Sequence, residues 1–351
     1  MTSFRIFIGT YTRERSRGIY AIQLNASTGQ FSTPELAAET PSPSYLTLSP
    51  RRDTLYAVSE SEAMAVAFRV QPDRAHLEPF ADSQNAGGTA PCHLAVDHTG
   101  RTLLVANYHT GVVASLPIMP DGELGPIRSL IQHQGSSVNP ERQSSPHAHS
   151  VTVSPDNRFV LACDLGLDKI FSYRLNPDNA TLSPAIPPFT TTTPGTGPRH
   201  LAFSSSGKLA FVIGEITGTL TSYRYDKTSG SLRALDEQST LHPPPKVENR
   251  SAAVRVHPNG RFVYASNRGA DDIAVFAFDE DSGRLTWLEN IPTDGKGPRD
   301  FALSPEGRWL VVANQDSNSL TSFAVSAETG RLTRSSGQAD LSMPVCVLFA
   351  D

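Results

Sequence analysis

HLAFSSSGKLAFVIGEITGTLTSYRYDKTSGSLRALDE (200–237) holds four short apolar stretches separated by turn-forming residues. HLAFS and KLAFVIG are joined across SSSGK, TLTSYRY follows, and LRALDE comes after DKTSG. Each stretch has the length of a strand, and none carries a helical 3.6-residue period. The Ser, Asp and Gly between them suit hairpin turns. Four antiparallel strands are therefore predicted here.

The first hairpin of this unit recurs along the chain. It appears as LTLSPRRDTLYAVSE (46–60), LAVDHTGRTLLVANY (94–108) and VTVSPDNRFVLACDL (151–165). It returns as LAFSSSGKLAFVIGE (201–215), VRVHPNGRFVYASNR (254–268) and FALSPEGRWLVVANQ (301–315). Anchors at Arg52, Gly100, Asn157, Gly207, Gly260 and Gly307 are spaced by 48, 57, 50, 53 and 47 residues. Four strands per period of roughly 50 residues describe a propeller blade, with strands A to D running from the axis outward. The first segments, RIFIGTY, GIYAIQLN and FSTPELAA, read as strands B, C and D of a blade that lacks A. The last segment, PVCVLFAD, reads as a lone A strand that completes it. The expected fold is all-β: a seven-bladed β-propeller over residues 1–351, a single domain whose ring is closed by the C-terminal strand.

Composition agrees with that reading. Among 351 residues, 30 Lys and Arg against 35 Asp and Glu give a net charge of −5, the wrong sign for a nucleic-acid footprint. Three cysteines, Cys92, Cys163 and Cys346, show no CxxC spacing and read as reduced, buried thiols. No apolar run reaches membrane-spanning length, and MTSFRIFIGTYT lacks the pattern of a secretory signal. A soluble, cytoplasmic protein is expected, a monomer or weak homodimer with no nucleic-acid or membrane partner. The ProProPro run at 243–245 reads as a stiff loop, and Arg74 as an exposed arginine.

If strand A runs down the axis and B returns, A starts and B ends share one face with the D–A connections. Counting from each turn places Ser44, Cys92, His149, Arg199, Ala252, Arg299 and Val345 at A starts. The same count places Tyr11, Glu60, Tyr108, Leu165, Glu215, Arg268 and Gln315 at B ends, preceded by Ser59, Asn107, Asp164, Gly214, Asn267 and Asn314. One arginine at such a position would be an ordinary solvated channel residue. Several arginines with a histidine and a glutamate at equivalent positions would repel one another unless used. The two long D–A connections, 131–148 and 238–251, cover this mouth, as functional loops do.

At these residues the chain resembles the seven-bladed propeller lactonase family, which includes bacterial 6-phosphogluconolactonase and fungal carboxy-cis,cis-muconate cyclase. The resemblance rests on FIGTYT (7–12), PCHLAVD (91–97), HSVTVSPDNR (149–158), GPRHLAFSSSGKLAFVIGE (197–215), HPNGRFVYASNR (257–268) and GPRDFALSPEGR (297–308). It implies a His, an Arg, a Glu and a second Arg at the mouth, which fall on His149, Arg199, Glu215 and Arg268. His93, Asn107, His147, His200, Arg299 and Gln315 are the accompanying substrate-binding candidates. The second histidine of PHAH (146–149) leaves open which imidazole acts.

Opening a lactone needs a base to deprotonate water and a cation to meet the oxyanion. A neutral histidine suits the first role and arginine the second. Glu215 could orient these groups or serve as acid and base. The resemblance implies hydrolysis of an anionic sugar lactone, foremost 6-phosphogluconolactone, without metal or cofactor. Three alternatives stand beside it: a lactonising enzyme acting on an unsaturated diacid, a non-catalytic binding platform, and a metal-dependent lactonase using Asp164, Asn107, Asn267 and Asn314.

Overall fold

A computed structural model describes residues 3–71, 76–80, 82–244 and 247–351. Arg74 and Pro245 lie outside the described residues. The described chain forms seven antiparallel sheets, six of four strands and one of five. Blade 5 shows the pattern: A is Pro198–Phe203, B is Leu209–Gly214, C is Thr219–Tyr225 and D is Leu232–Ser239. The A strand of each blade contacts the A strand of the next around a complete ring, which makes A the innermost strand. The seven-bladed propeller is the observed fold.

Closure occurs where the sequence places it. Pro344–Phe349 pairs antiparallel with Ser3–Thr10, which continues to Gly18–Asn25 and Glu35–Glu39. Blade 1 thus joins the two ends of the chain and removes the free sheet edges of a linear array. The extra strand belongs to blade 2, where Gln84–Asn85 pairs with Met64–Val70 beyond Leu77–Pro79.

The repeat anchors have a backbone reason. Gly100, Gly207, Gly260 and Gly307 all adopt left-handed φ near +70°, and Arg52 and Asn157 take the same turn at φ 59° and 57°. Glycine meets this requirement without Cβ strain, asparagine tolerates it, and Arg52 carries the strain. Ser204 shows how the turn is held: its Oγ accepts from Leu209 N at 3.1 Å and its carbonyl from Gly207 N at 2.9 Å.

The core lies between blades rather than within one sheet. Phe159, Leu161 and Cys163 of blade 4 pack against Leu201, Ala210, Val212 and Tyr223 of blade 5. The B strands are buried on both faces, so they read as continuous apolar runs instead of alternating ones. All three cysteines are free and buried.

Candidate active site

A single backbone irregularity, repeated around the ring, builds the mouth of the channel. In blade 5, Pro198 pairs with Gly214 and His200 with Ile213, which leaves Arg199 as the extra residue of a β-bulge. His149 is the unpaired residue in blade 4, between partners Ala148 and Ser150. Arg299 occupies the same place in blade 7, and Cys92 in blade 3. A bulge breaks the two-residue alternation and re-aims a side chain. That is how adjacent residues such as Arg199 and His200 can both reach the axis.

The B ends are fixed by a second repeated contact. Glu215 N donates to Gly197 O at 2.9 Å; Glu60, Tyr108, Leu165 and Gln315 make the matching bond across their hairpins, and Tyr11 makes it to Met343 O where the chain ends meet. Arg268 instead ends its strand, paired with Arg250.

Glu215 is the centre of the site. Its Oε2 accepts from Arg199 Nε at 2.9 Å and from Arg268 Nη2 at 3.0 Å, while Oε1 accepts from Arg142 Nη2 at 2.6 Å. Arg199 also donates through Nη1 to Ala252 O at 2.6 Å and to His200 Nε2 at 3.1 Å. His149 Nε2 stands 3.9 Å from Glu215 Oε2, beyond hydrogen-bond reach but close enough to feel the charge. The four side chains His149, Arg199, Glu215 and Arg268 are thus brought together.

Burial and charge together set the protonation states. Burial alone would raise the Glu215 pKa, but Arg268, Arg199 and His149, with the bond from Arg142, hold it far below the ordinary carboxylate range. These cations favour the ionised carboxylate of Glu215. Burial, followed by the field of Arg199, pushes His149 well below the usual imidazole value, against the opposing pull of Glu215. The imidazole is therefore neutral, as a base must be. Arg199 is pushed down by burial and by Arg268 and Arg299, yet guanidinium is so weakly acidic that the cation persists.

A cavity of about 200 Å³ opens beside this cluster, lined among others by Cys92, Tyr108, Arg142, His149, Glu215, Arg268 and Arg299. Arg142 is the residue that repeat counting misses, because it lies in the connection 131–148 rather than on a strand. Asn139 Oδ1 accepts from Arg142 N at 3.1 Å, and Gln143 Nε2 donates to Leu165 O at 2.9 Å, which pins the loop over the mouth. The unusual length of that connection was the signal that could have found it.

The other candidates fall elsewhere. His93 and His200 line a separate cavity of about 580 Å³ farther along the channel, beside Tyr45 and Arg255. His147 stacks on Tyr108 at 4.5 Å and donates from Nδ1 to Tyr108 O at 3.0 Å, so it braces the rim and does not line the cavity beside Glu215. Gln315 donates from Nε2 to Asp316 at 3.0 Å, leaves its buried Oε1 without a partner, and also stays outside. Asn107 turns away from the mouth and donates to Ala86 O and Val112 O. Strand alternation explains this: a residue preceding the B end points into the blade. Asp164 likewise bonds His133, Asn267 bonds Thr240 and Asp272, and Asn314 bonds Thr321. Each of the four is hydrogen-bonded within its own blade or to the connection entering it, and the described residues contain no group of three or more His, Cys, Asp or Glu able to hold a metal.

Known proteins share this architecture along its whole length. The family model for the seven-bladed β-propeller lactonase matches residues 5–349. A 6-phosphogluconolactonase of Bacillus subtilis is 34% identical over 303 residues, covering 86% of this chain and 85% of the relative. The 6-phosphogluconolactonase of Formosa agariphila is 31% identical over 309 residues, covering 85% and 86%. Among solved structures, the periplasmic gluconolactonase of Pseudomonas aeruginosa superposes with a TM-score of 0.94 at 34% identity, covering 99% of each chain. With its ring, its bulge-borne arginines and a family match that spans nearly every residue, the chain belongs to the seven-bladed β-propeller lactonase family.

Proposed function

We propose that the protein hydrolyses a sugar lactone, 6-phosphoglucono-1,5-lactone foremost, and that His149 is the general base. The observation that carries this reading is His149 lining the cavity 3.9 Å from a carboxylate that three guanidinium groups bind, with burial holding the imidazole below its usual value. His149 takes a proton from water as the water oxygen bonds to the lactone carbonyl carbon. The carbonyl oxygen becomes an oxyanion, which a mouth guanidinium meets; one such donor is worth about 3–4 kcal/mol of transition-state stabilisation. The ring C–O bond then breaks, and the departing oxygen recovers the proton from the imidazolium. One water is consumed and one hydroxy acid is formed. Glu215 supports the steps without changing protonation: it holds Arg199, Arg268 and Arg142 in place and offsets the positive charge that forms on His149.

The names of the relatives support lactone chemistry and differ on whether the substrate is phosphorylated. Three buried free thiols fit a cytoplasmic protein, whereas the Pseudomonas relative is periplasmic. Among the described residues no helix is long and apolar enough to cross a membrane. The test is the initial rate of acid release from phosphorylated and plain gluconolactone, corrected for spontaneous opening. Enzyme-dependent release from either supports the reading, and release at the spontaneous rate from both rejects it.

A further inference from the structure

Tyr11 carries two guanidinium groups. Arg299 Cζ lies 5.3 Å from its ring centroid and Arg13 Cζ 4.4 Å from it. Arg299 lines the catalytic cavity, whereas Arg13 lines an adjoining lobe of about 470 Å³. The two spaces share Glu60, Ala90 and His109 as common wall, so they abut. Arg142, Arg199 and Arg268 all have Glu215 as their carboxylate, and Arg255 has Asp300. Among the described residues, Arg13 and Arg299 have no ion-pair partner and donate no hydrogen bond. Their N–H groups are uncommitted, and each cation rests on the face of one phenol ring.

Size gives the same direction. About 200 Å³ falls below the roughly 300–1,000 Å³ of pockets that bury a small ligand. A sugar ring with an exocyclic ester would extend past Glu60 and His109 into the lobe. The arginines around Glu215 each give at least one N–H to its carboxylate, which leaves them too few free donors to hold a dianionic ester as well as the single developing oxyanion. Glu60 also lies at the junction, but its Oε2 is engaged by Tyr11 Oη at 3.2 Å and by the Ser44 hydroxyl. Against the downward push of burial, Glu60 and Glu215, both within electrostatic reach of Arg299, hold its pKa up, but neither hydrogen-bonds it, so its fork keeps its donors for an anion.

We propose that Arg13 and Arg299, held over Tyr11, form an anion subsite that takes the phosphoryl group of the substrate while the lactone ring occupies the catalytic cavity. This rests on the lactonase reading and adds the feature that selects among lactones. A dianionic phosphoryl ester offers enough oxygens for both forks, whereas a plain hydroxymethyl group offers neither charge nor a second acceptor. His109 and the hydroxyls of Ser61 and Thr89 lie along the same lobe.

The test compares substrates and, independently of turnover, products. The quantity read is the ratio of kcat/KM for 6-phosphogluconolactone to that for gluconolactone. Arg13→Gln and Arg299→Gln are each expected to lower this ratio about tenfold to a hundredfold, the usual weight of a charge-assisted hydrogen bond. Arg13→Lys should recover part of it, since charge remains and the fork is lost. A ratio unchanged within twofold in both glutamine variants overturns the subsite. Calorimetry with 6-phosphogluconate and gluconate gives a second arm that needs no catalysis. The wild type should bind the phosphorylated acid at least tenfold more tightly, and Arg13→Gln should reduce that preference. Equal affinity for the two acids in the wild type rejects the subsite even if lactone hydrolysis is observed. Conversely, a phosphoryl preference without any lactone turnover would support the subsite and reject the catalytic reading.

Discussion

Arg199 Nε and Glu215 Oε2 meet at 2.9 Å across the inner hairpin of blade 5, one residue extruded by a bulge and the other one step past the end of the paired strand. A local feature of one hairpin thus sets the centre of the site. Arg268 from blade 6 and Arg142 from the connection into blade 4 close on the same carboxylate.

Replacing that carboxylate leaves one buried and two half-buried cations facing one another. Glu215→Gln is expected to lower stability at pH 7 by about 3–5 kcal/mol, the scale for breaking a buried pair. Because the folded pKa of Glu215 is depressed, its stabilising share is complete above the ordinary ~4.3 and is lost as pH falls toward the folded value. Urea unfolding at pH 7 and pH 3 should show the gap between wild type and variant narrowing in acid. A gap that does not change with pH would contradict the assignment.

Three channel imidazoles predict a second acid effect in a different window. Burial is the largest cause that holds His93, His149 and His200 well below the usual value, and Arg199 adds to it in each case. The unfolded chain therefore binds protons that the native state refuses. Stability is full above about 6.5 and falls below it, by about 1.4 kcal/mol per pH unit for each imidazole. His200→Gln should lower the slope between pH 6 and pH 5 by about one imidazole's share; an unaltered slope would remove His200 from this account.

Ring closure depends on the final strand. Val345, Cys346, Val347 and Phe349 are buried, and their strand supplies the inner edge of blade 1. A chain lacking residues 341–351 should fail to fold into a soluble propeller. Circular dichroism and a melting curve matching the full-length protein would be the opposite result.

Arg268 uses its fork in two directions, Nη2 to Glu215 at 3.0 Å and Nε to Arg250 O at 3.0 Å. A single ammonium cannot reproduce both bonds. Arg268→Lys should lower kcat/KM about tenfold to a hundredfold while the fold persists, the scale of a lost bond to a charged group. Kinetics indistinguishable from wild type would show that the fork is dispensable.

The fold was legible because its signal is repeated six times: turn residues with left-handed φ recur at nearly constant spacing between strand-length apolar runs. Much of the site was legible for the same reason, since equivalent positions in a repeat occupy equivalent places in space. The repeat puts His149, Arg199, Glu215 and Arg268 at the mouth among other positions, and the family resemblance singles those four out. Asn107 was misplaced because a count of residues does not say which face a side chain takes. His93 and His200 lie deeper in the channel because a bulge shifts the side-chain alternation, and no glycine in PCH or PRH marks that bulge. Arg142 was invisible to the repeat, since loop 131–148 has no counterpart of equal length in the other blades. Of His147 and His149, one stacks on Tyr108 at the rim and the other lines the cavity.

The most direct measurement of the central claim is single-substrate kinetics of lactone opening by His149→Ala beside His147→Ala, each checked for native folding by circular dichroism. With His149 as base, its removal should lower kcat by about 10²–10⁴, the range of general-base catalysis, while loss of His147 costs far less. A His149→Ala protein that is folded and opens the lactone at the wild-type rate would contradict the mechanism at its first step.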